Sequence, residues 1–498
     1  MTWTVLTLLA LCCAGLTSAG KPNIIFILLD DAGWYDFQSH DPLMATPNID
    51  RLRQEGLFLN QSYVLPMCAP TRSAILTGRY PHTFGAQNGK AAGTDKLFWV
   101  PETFKLMSDE MKELGYQTHM LGKWHMGFCH PTLTPLYRGF DTFHGFLLGA
   151  HSSYYTHFKS KNGPYDWWNN TDIDWSSKGT YNTELLNDAM LNIIQTSKAD
   201  QPFFVYLAYP APHGPKEAPQ RYINTYCSHF TEDARRIHCA MVAAVDEGIG
   251  KMIAALKEKR TYDDTAFIVM SDNGGAIGHG SSNYPQRGGK KTVYEGGTRV
   301  YTVLKAPKLS VTNTTYSGMV HAVDWVPTLV HMGGGKAKDW MQGKNAWDRI
   351  KNFEDSRRNE FLYTYDDYYK FNHRAYRFKQ WKLIQGRPGQ SQGWYPPYNL
   401  VEDGVATVED IRGNQNFSYF ELYNLDKDPE ERKNLANKKP DQVQKVLGIM
   451  ESFLADYPLQ PFVESGTSDA WKDTETNEIN TCWCHPEHSV DTPDCPAQ

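Results

Sequence analysis

Beyond residue 16 the chain has no apolar run long enough to cross a bilayer, which argues against an internal membrane span. It has no basic excess either. Fifty lysines and arginines face 56 aspartates and glutamates for a net charge of −6, so nothing predicts nucleic acid or an anionic membrane as partner. No segment repeats and none is of low complexity, which excludes a solenoid or a disordered tether. Cysteine is scarce, nine in 498 residues, and the first four residues lack the basic side chains that usually open an export signal.

An export signal is nonetheless predicted over residues 1–19. Val5 to Leu16 is an apolar run too short to span, and Thr17-Ser18-Ala19-Gly20 suits cleavage after Ala19. The mature chain is then expected to be soluble and in the secretory pathway, either lysosomal or secreted. With Cys12 and Cys13 in the signal and Cys68 set aside, Cys129, Cys227, Cys239, Cys482, Cys484 and Cys495 form an even set that fits three disulfides. Cys227 with Cys239 is the expected local pair, and Cys129 is expected to reach the C-terminal three. A zinc site at Cys482, Cys484 and His485 is the rival reading, weakened by its C-x-C spacing. Asn60, Asn169, Asn313 and Asn416 head sequons that permit glycosylation.

At 41% hydrophobic content the chain can build a large core and more than one domain. Apolar runs at Ile24–Leu29, Gln117–Leu121, Phe203–Tyr209 and Ala266–Met270 predict buried strands, with Phe58–Val64 as a further strand. Between them, helical spacing runs through Ile49–Gly56, Thr103–Leu114, Leu185–Ile194 and Ile237–Ile253, and a last helix is predicted over Ala322–Met332. This alternation predicts an α/β fold with a large, mostly parallel sheet flanked by helices over 20–350. Gly333-Gly334-Gly335 and the charged segment to Arg358 read as a linker. Strands at Phe361–Tyr365, Tyr376–Ile384 and Tyr419–Leu425 and a helix around Val443–Phe453 then predict a smaller antiparallel sheet with a packed helix over 351–498.

The four buried strands end in Asp30-Asp31, Lys123-Trp124-His125, Pro212-His213 and Asp272-Asn273. Ligands of such sheets gather beyond the carboxyl ends of the strands. Asp30, Asp31, Asp272 and Asn273 offer oxygen only, a donor set for a hard cation such as Ca²⁺ or Mg²⁺. Taken singly, Asp-Asp and Asp-Asn-Gly are ordinary turn sequences. Four chemically useful strand ends favour one shared site.

The remaining motif is Cys68-Ala69-Pro70-Thr71-Arg72-Ser73-Ala74-Ile75-Leu76-Thr77-Gly78-Arg79. Pro66 and Pro70 place Cys68 on an extended, exposed turn, with a short helix starting after Arg72 and stopping at Gly78. A structural cysteine beside a basic loop is the plain reading of five such residues. The full stretch, C-x-P-x-R followed by L-T-G-R, resembles the signature of the formylglycine-dependent sulfatases. Gly122-Lys123-Trp124-His125-Met126-Gly127, Arg138-Gly139-Phe140-Asp141 and Glu421 to Glu431 extend the resemblance over nearly the whole mature chain. Within the family they look most like the arylsulfatase B, or N-acetylgalactosamine-4-sulfatase, type.

The resemblance implies an alkaline-phosphatase-like fold and one calcium ion held by Asp30, Asp31, Asp272, Asn273 and residue 68. It also implies that Cys68 is oxidised before folding, by a formylglycine-generating enzyme, to an aldehyde whose hydrate is the nucleophile. Arg72, Lys123, His125, His213 and Lys290 become the cationic and acid–base partners. Lys290 is chosen over Lys291 because it lies five residues before Glu295-Gly296-Gly297. The substrate would be a sulfate ester, of sulfated sugars or glycosaminoglycans. A phosphatase or phosphonate hydrolase of the same superfamily, and a non-catalytic glycoprotein on the same scaffold, are the alternatives.

Overall fold

The computed structural model describes residues 20–88, 98–366, 373–396, 419–461 and 476–481. The predicted signal, Cys482, Cys484, His485, Cys495 and Asn416 lie outside them. The fold is built on β1 (Asn23–Leu29), every residue of which from Ile24 onward is fully buried. Ile24, Phe26 and Leu28 pack on one face with Trp325 and Leu329, while Ile25, Ile27 and Leu29 pack on the other with Val242, Val245 and Ile249. A strand covered by helices on both faces has no polar side to show, so its sequence does not alternate.

The other strands of the large sheet are β2 (Leu57–Leu59), β4 (Gln117–Lys123), β5 (Thr142–Phe146), β6 (Trp168–Asn169), β7 (Asp172–Ile173), β8 (Phe203–Tyr209), β9 (Thr265–Ser271), β10 (Thr302–Lys305) and β11 (Thr314–Tyr316). The short β3 (Ser62–Tyr63) and β12 (Val320–His321) pair with each other instead. The ten-stranded order is β11-β2-β10-β9-β1-β8-β4-β5-β6-β7. The centre, from β9 through β1, β8 and β4 to β5, is parallel, and β10 joins β9 antiparallel. Register fixes the functional edge. Leu29 stands opposite both Ser271 and Tyr209, and Gly122 opposite Ala208, so Asp30, Asp272, Pro210 and Lys123 reach the same rim.

Four local expectations change. The predicted Tyr376–Ile384 strand is a hairpin, turned at Lys379-Gln380 between a strand ending at Phe378 and one starting at Trp381. Phe58–Val64 is broken into β2 and β3, because the chain leaves the large sheet at Asn60 to pair with β12. The Thr103–Leu114 helix is confined to Met107–Glu113. The 333–358 stretch is packed and does not run as a free linker. Its helix Trp347–Lys351 buries Trp347 and Ile350, and Arg358 donates through Nε to Asp324 Oδ2 at 2.6 Å and through Nη1 to Tyr80 Oη at 3.0 Å.

The second sheet is the antiparallel meander β13 (Glu360–Asp366), β14 (His373–Phe378), β15 (Trp381–Gln385) and β16 (Phe420–Asn424). Leu362, Tyr376, Leu383 and Leu422 pack against Val443, Val446 and Met450 of the helix Pro440–Asp456. Phe361, Tyr363, Ala375 and Tyr423 face the main body through Tyr63, Val293 and Tyr294. Cys227 and Cys239 are bonded as expected. Cys129 is disulfide-bonded too, to a partner outside the described residues.

Arg358 and Asp324 form an ion pair with almost no access to water. Removing one partner of such a pair typically costs about 3–5 kcal/mol, because the other charge stays buried. Arg358→Met should lower the urea midpoint by a corresponding amount, and Arg358→Met with Asp324→Leu should recover part of it.

Candidate active site

Cys68 is the first residue of the helix Cys68–Thr77, follows an extended Met67 and is 9% exposed. The expected open turn is therefore a buried helix start. Pro70 is tolerated there because a first-turn residue needs no intrahelical N–H bond, so the helix begins at Cys68 and not after Arg72. It ends as expected at Gly78, which is left-handed at φ 63°. Thr71 Oγ1 ties the turn by accepting from Leu65 N–H and donating to Leu65 O, both at 3.1 Å.

The metal-type residues converge. Oxygens of Asp30 and Asp272 and the Cys68 sulfur all lie within 4.8 Å of one another, and Asp30, Asp31 and His213 form a second, overlapping group. Asp31 sits at φ 68°, a left-handed conformation that turns the chain sharply at the end of β1. Its backbone N–H donates to Asp272 Oδ1 at 3.3 Å, and Asn273 Nδ2 donates to its Oδ1 at 2.7 Å. Asp30 Oδ1 and Asn273 Oδ1 are buried without a hydrogen-bond donor among the described residues. Orphaned, buried oxygens of this kind fit a hard cation, which needs no donor hydrogen.

The cationic residues surround them. Lys123, the last residue of β4, pairs with Asp30 Oδ2. Arg72 donates from Nη2 and Nε to Asp272 Oδ2 at 2.7 and 3.1 Å, and its Nη2 lies 3.6 Å from Asp30 Oδ2. Lys290 Nζ contacts both Asp31 oxygens at 2.7 and 2.8 Å. Its neighbour Lys291 is exposed. His213 Nε2 is 3.7 Å from Asp31 Oδ2, and its Nδ1 is 2.7 Å from Gly214 O. A carbonyl only accepts, so Nδ1 carries the hydrogen. His125 is left-handed at φ 57°, and its Nδ1 is buried without a hydrogen-bond partner among the described residues.

Electrostatics divides the carboxylates. Burial pushes Asp30 up, but Lys123, His213, Arg72 and Lys290 outweigh it and hold it far below the usual range. Asp31 is likewise lowered, burial being overcome by Lys290 and His213. Asp272 is pushed up to about 7 by burial and the Asp30 charge, against Arg72 and Lys123. Burial, then Lys123 and Arg72, hold His125 well below its ordinary value, which keeps its ring neutral. Three buried carboxylates, Asp30, Asp31 and Asp272, are thus matched by Arg72, Lys123 and Lys290, with a neutral His125 near Lys123 and Arg72.

Two features of the site had no sequence signal. The loop after β5 lies on His125: a Cβ on Gly149 would come 2.5 Å from its Nε2. Lys216 donates to the Pro212 carbonyl and lies 3.0 Å from His238 Nδ1, tying down the turn before His213. Neither is marked by periodicity or by a turn dipeptide.

The sulfatase family model matches residues 22–335, a span that holds every one of these groups. The chain belongs to the sulfatase family. A model described as N-sulphoglucosamine sulphohydrolase, C-terminal, matches residues 288–404. Mouse arylsulfatase J is 35% identical over 464 residues, 88% of this sulfatase and 77% of the relative. Human N-acetylgalactosamine-6-sulfatase is 33% identical over 308 residues, 56% of this chain and 55% of the other. Among solved structures, Ps i-CgsB in complex with k-i-k-neocarrahexaose superposes with a TM-score of 0.75 at 30% identity, covering 89% of this chain and 94% of that one. The large mixed sheet with a separate small antiparallel sheet is the alkaline-phosphatase-like fold of sulfatases.

In this sulfatase the Asp272–Asn273 turn is seated on the Glu295–Gly297 turn, with Gly274 N–H donating to Gly297 O at 3.0 Å. A Cβ at Gly274 would lie 1.7 Å from Gly296 O. Gly274→Ala should cost roughly 1–3 kcal/mol, as overpacking does. It should also weaken divalent-cation binding in equilibrium dialysis, since the two turns can no longer close.

Proposed function

We propose that this sulfatase hydrolyses sulfate esters of sugars, with residue 68 as nucleophile after oxidation to formylglycine. The observation that carries this reading is the convergence of Cys68 with Asp30 and Asp272 at a rim where Lys123, Arg72, His125, His213 and Lys290 also gather. Asp30, Asp31, Asp272 and Asn273, with the side chain of residue 68, would hold a calcium ion. When present, the ion and the hydrated aldehyde would supply a charge-stabilised oxygen nucleophile.

The chain's own groups do the rest. Lys123 and Lys290 lie beside residue 68's neighbours and offer positive charge to the sulfuryl oxygens, where negative charge builds in the transition state. Arg72 holds Asp272 and Asp30 in place from the helix that carries residue 68. His213, with Nδ1–H held by Gly214 O, turns Nε2 toward the site, and in its doubly protonated form, which burial disfavours and the Asp30 and Asp31 charges favour, it would donate the Nε2 proton to the leaving sugar oxygen. His125, neutral and with a free Nδ1, is suited to accept a proton as sulfate departs.

For the sugar, support comes from the arylsulfatase B-type motifs, from a relative named N-acetylgalactosamine-6-sulfatase and from a structural neighbour in complex with k-i-k-neocarrahexaose. A sulfated galactosamine of the glycosaminoglycan class is the substrate we favour. The destination we favour is lysosomal or secreted, with oxidation of residue 68 by a formylglycine-generating enzyme before folding. We further propose 20–350 as the catalytic domain and 351–498 as its C-terminal subdomain.

Mass spectrometry of the peptide containing residue 68 should show the aldehyde. Release of sulfate from a chromogenic aryl sulfate should vanish in Cys68→Ala, and an unmodified thiol in a fully active enzyme would overturn the reading. Lys123→Met should reduce kcat by about 10²–10³, the range for removing one oxyanion-stabilising donor. Asn273→Ala should reduce calcium affinity by about tenfold or more, read by equilibrium dialysis.

A further inference from the structure

We infer that Lys159 is a specificity-determining residue that pairs with a second anionic group of the substrate, a carboxylate or a further sulfate, beside the ester that is cleaved. This rests on the sulfatase reading above and goes beyond it in naming what else the sugar must carry. Lys159 stands on the loop that covers His125. The loop is stiff: Ser152 N–H donates to Phe158 O at 2.8 Å, Lys159 N–H to Pro164 O at 2.9 Å and Asp166 N–H to His157 O at 3.1 Å. Its contact with the site runs through Gly149, whose backbone lies against the His125 ring.

The Lys159 ammonium is half-buried, yet among the described residues its sole hydrogen bond is a long one, 3.5 Å, to the Ala150 carbonyl. The nearby acid makes no hydrogen bond to it among the described residues. Asp166 is spent on the Leu147 and Leu148 N–H groups, both at 3.0 Å, and on Trp168 Nε1 at 2.9 Å. Lys123 and Lys290, in contrast, are each committed to a carboxylate of the metal-type cluster. A half-buried ammonium with most of its donors unused is costly unless a ligand supplies the missing anion. Its charge acts on His125 and it feels the charge of Lys123 in turn, while its ammonium reaches the Ala150 carbonyl next to the Gly149 that lies on the His125 ring, which sets it beside the cationic set that would grip the cleaved sulfate. Burial lowers its pKa, Asp166 raises it and Lys123 lowers it again, so the site as it stands holds a cation that an incoming anion would steady.

The test compares the holoenzyme and Lys159→Met on two substrates. One is N-acetylgalactosamine carrying a single sulfate. The other is the same sulfated sugar joined to a uronic acid, or bearing a second sulfate. A hydrogen-bonded charge pair is worth about 1.5–3 kcal/mol, or roughly 10–100-fold. The ratio of kcat/KM for the doubly charged over the singly charged substrate should fall by that factor in Lys159→Met, mainly through KM, and Lys159→Arg should restore most of it. An unchanged ratio overturns the inference, whether both substrates slow together, as they would if Lys159 gripped the cleaved sulfate, or neither does. Melting temperatures of the variants separate this from loss of folding. A wild-type enzyme with the aldehyde in place that cleaves an aryl sulfate but neither sugar overturns the sulfated-galactosamine reading, and this inference with it.

Discussion

Two carboxylates side by side in the protein interior set the terms for everything around them. The parallel, in-register pairing of β1 with β9 leaves Asp30 and Asp272 no choice but to emerge together, away from water. Like charges about 4 Å apart repel by about 4 kcal/mol even at the effective dielectric of a protein surface, and burial adds to that. The protein answers with Arg72, which touches both, and Lys123 on Asp30. The answer is incomplete, as the raised pKa of Asp272 and the orphaned Asp30 Oδ1 record. A hard cation, as proposed above, would complete it. On that proposal the positive groups that fold the site are also the ones at hand for a sulfuryl group.

Holding that arrangement requires a rigid floor, and the C-terminal sheet supplies it. Glu295, which opens the turn beneath Gly274, accepts from Tyr63 and Tyr363 hydroxyls and from Lys382 Nζ, each at 3.0 Å. Lys382 on β15 also pairs with Glu431 at 2.8 Å, and Glu431 in turn accepts from the Glu295 N–H at 2.7 Å. Glu431 is pushed up to about 7 by burial, with the Glu295 charge adding to the rise against Lys382. A fully buried network of this kind tolerates little displacement, because each member that loses its partner is left desolvated. The small sheet is therefore bolted to the Glu295–Gly297 turn, on which the Asp272–Asn273 turn is seated.

How much of this could be read from the residues depends on the range of the interaction. The central strands were legible because burial on both faces writes an unbroken apolar run, and their polar ends were legible because nothing apolar replaces Asp30, His213 or Asp272 there. Gly78 and the Cys227–Cys239 bond are local and were also readable. The surroundings of Cys68 were not. Two prolines suggest an open turn, yet proline in a helix's first turn is harmless, and tertiary packing chose the helix. The 333–358 stretch looks like a linker by composition, but Trp347, Ile350 and Arg358 find their partners far away in sequence. Lys159 and the loop over His125 leave no periodic trace at all. Their meaning lies in which acid is not available to them, and only the folded chain decides that.

Burial of residue 68 also bears on when it could be altered. Every residue from Cys68 to Thr77 is buried, and Thr71 locks the turn to Leu65 through both of its hydrogen-bonding roles. An enzyme acting on the Cys68 side chain would have to pull out the helix, expose Arg72 and strip two carboxylates of a partner. Leaving even one of those charges buried and unpaired costs several kcal/mol. The proposed oxidation is accordingly far easier on the unfolded segment, where Cys68-Ala69-Pro70-Thr71-Arg72 is an accessible extended peptide. On that proposal the same five residues would carry two kinds of information in succession: a linear sequence for recognition before folding, and afterwards the start of a helix that delivers residue 68 to the carboxylates.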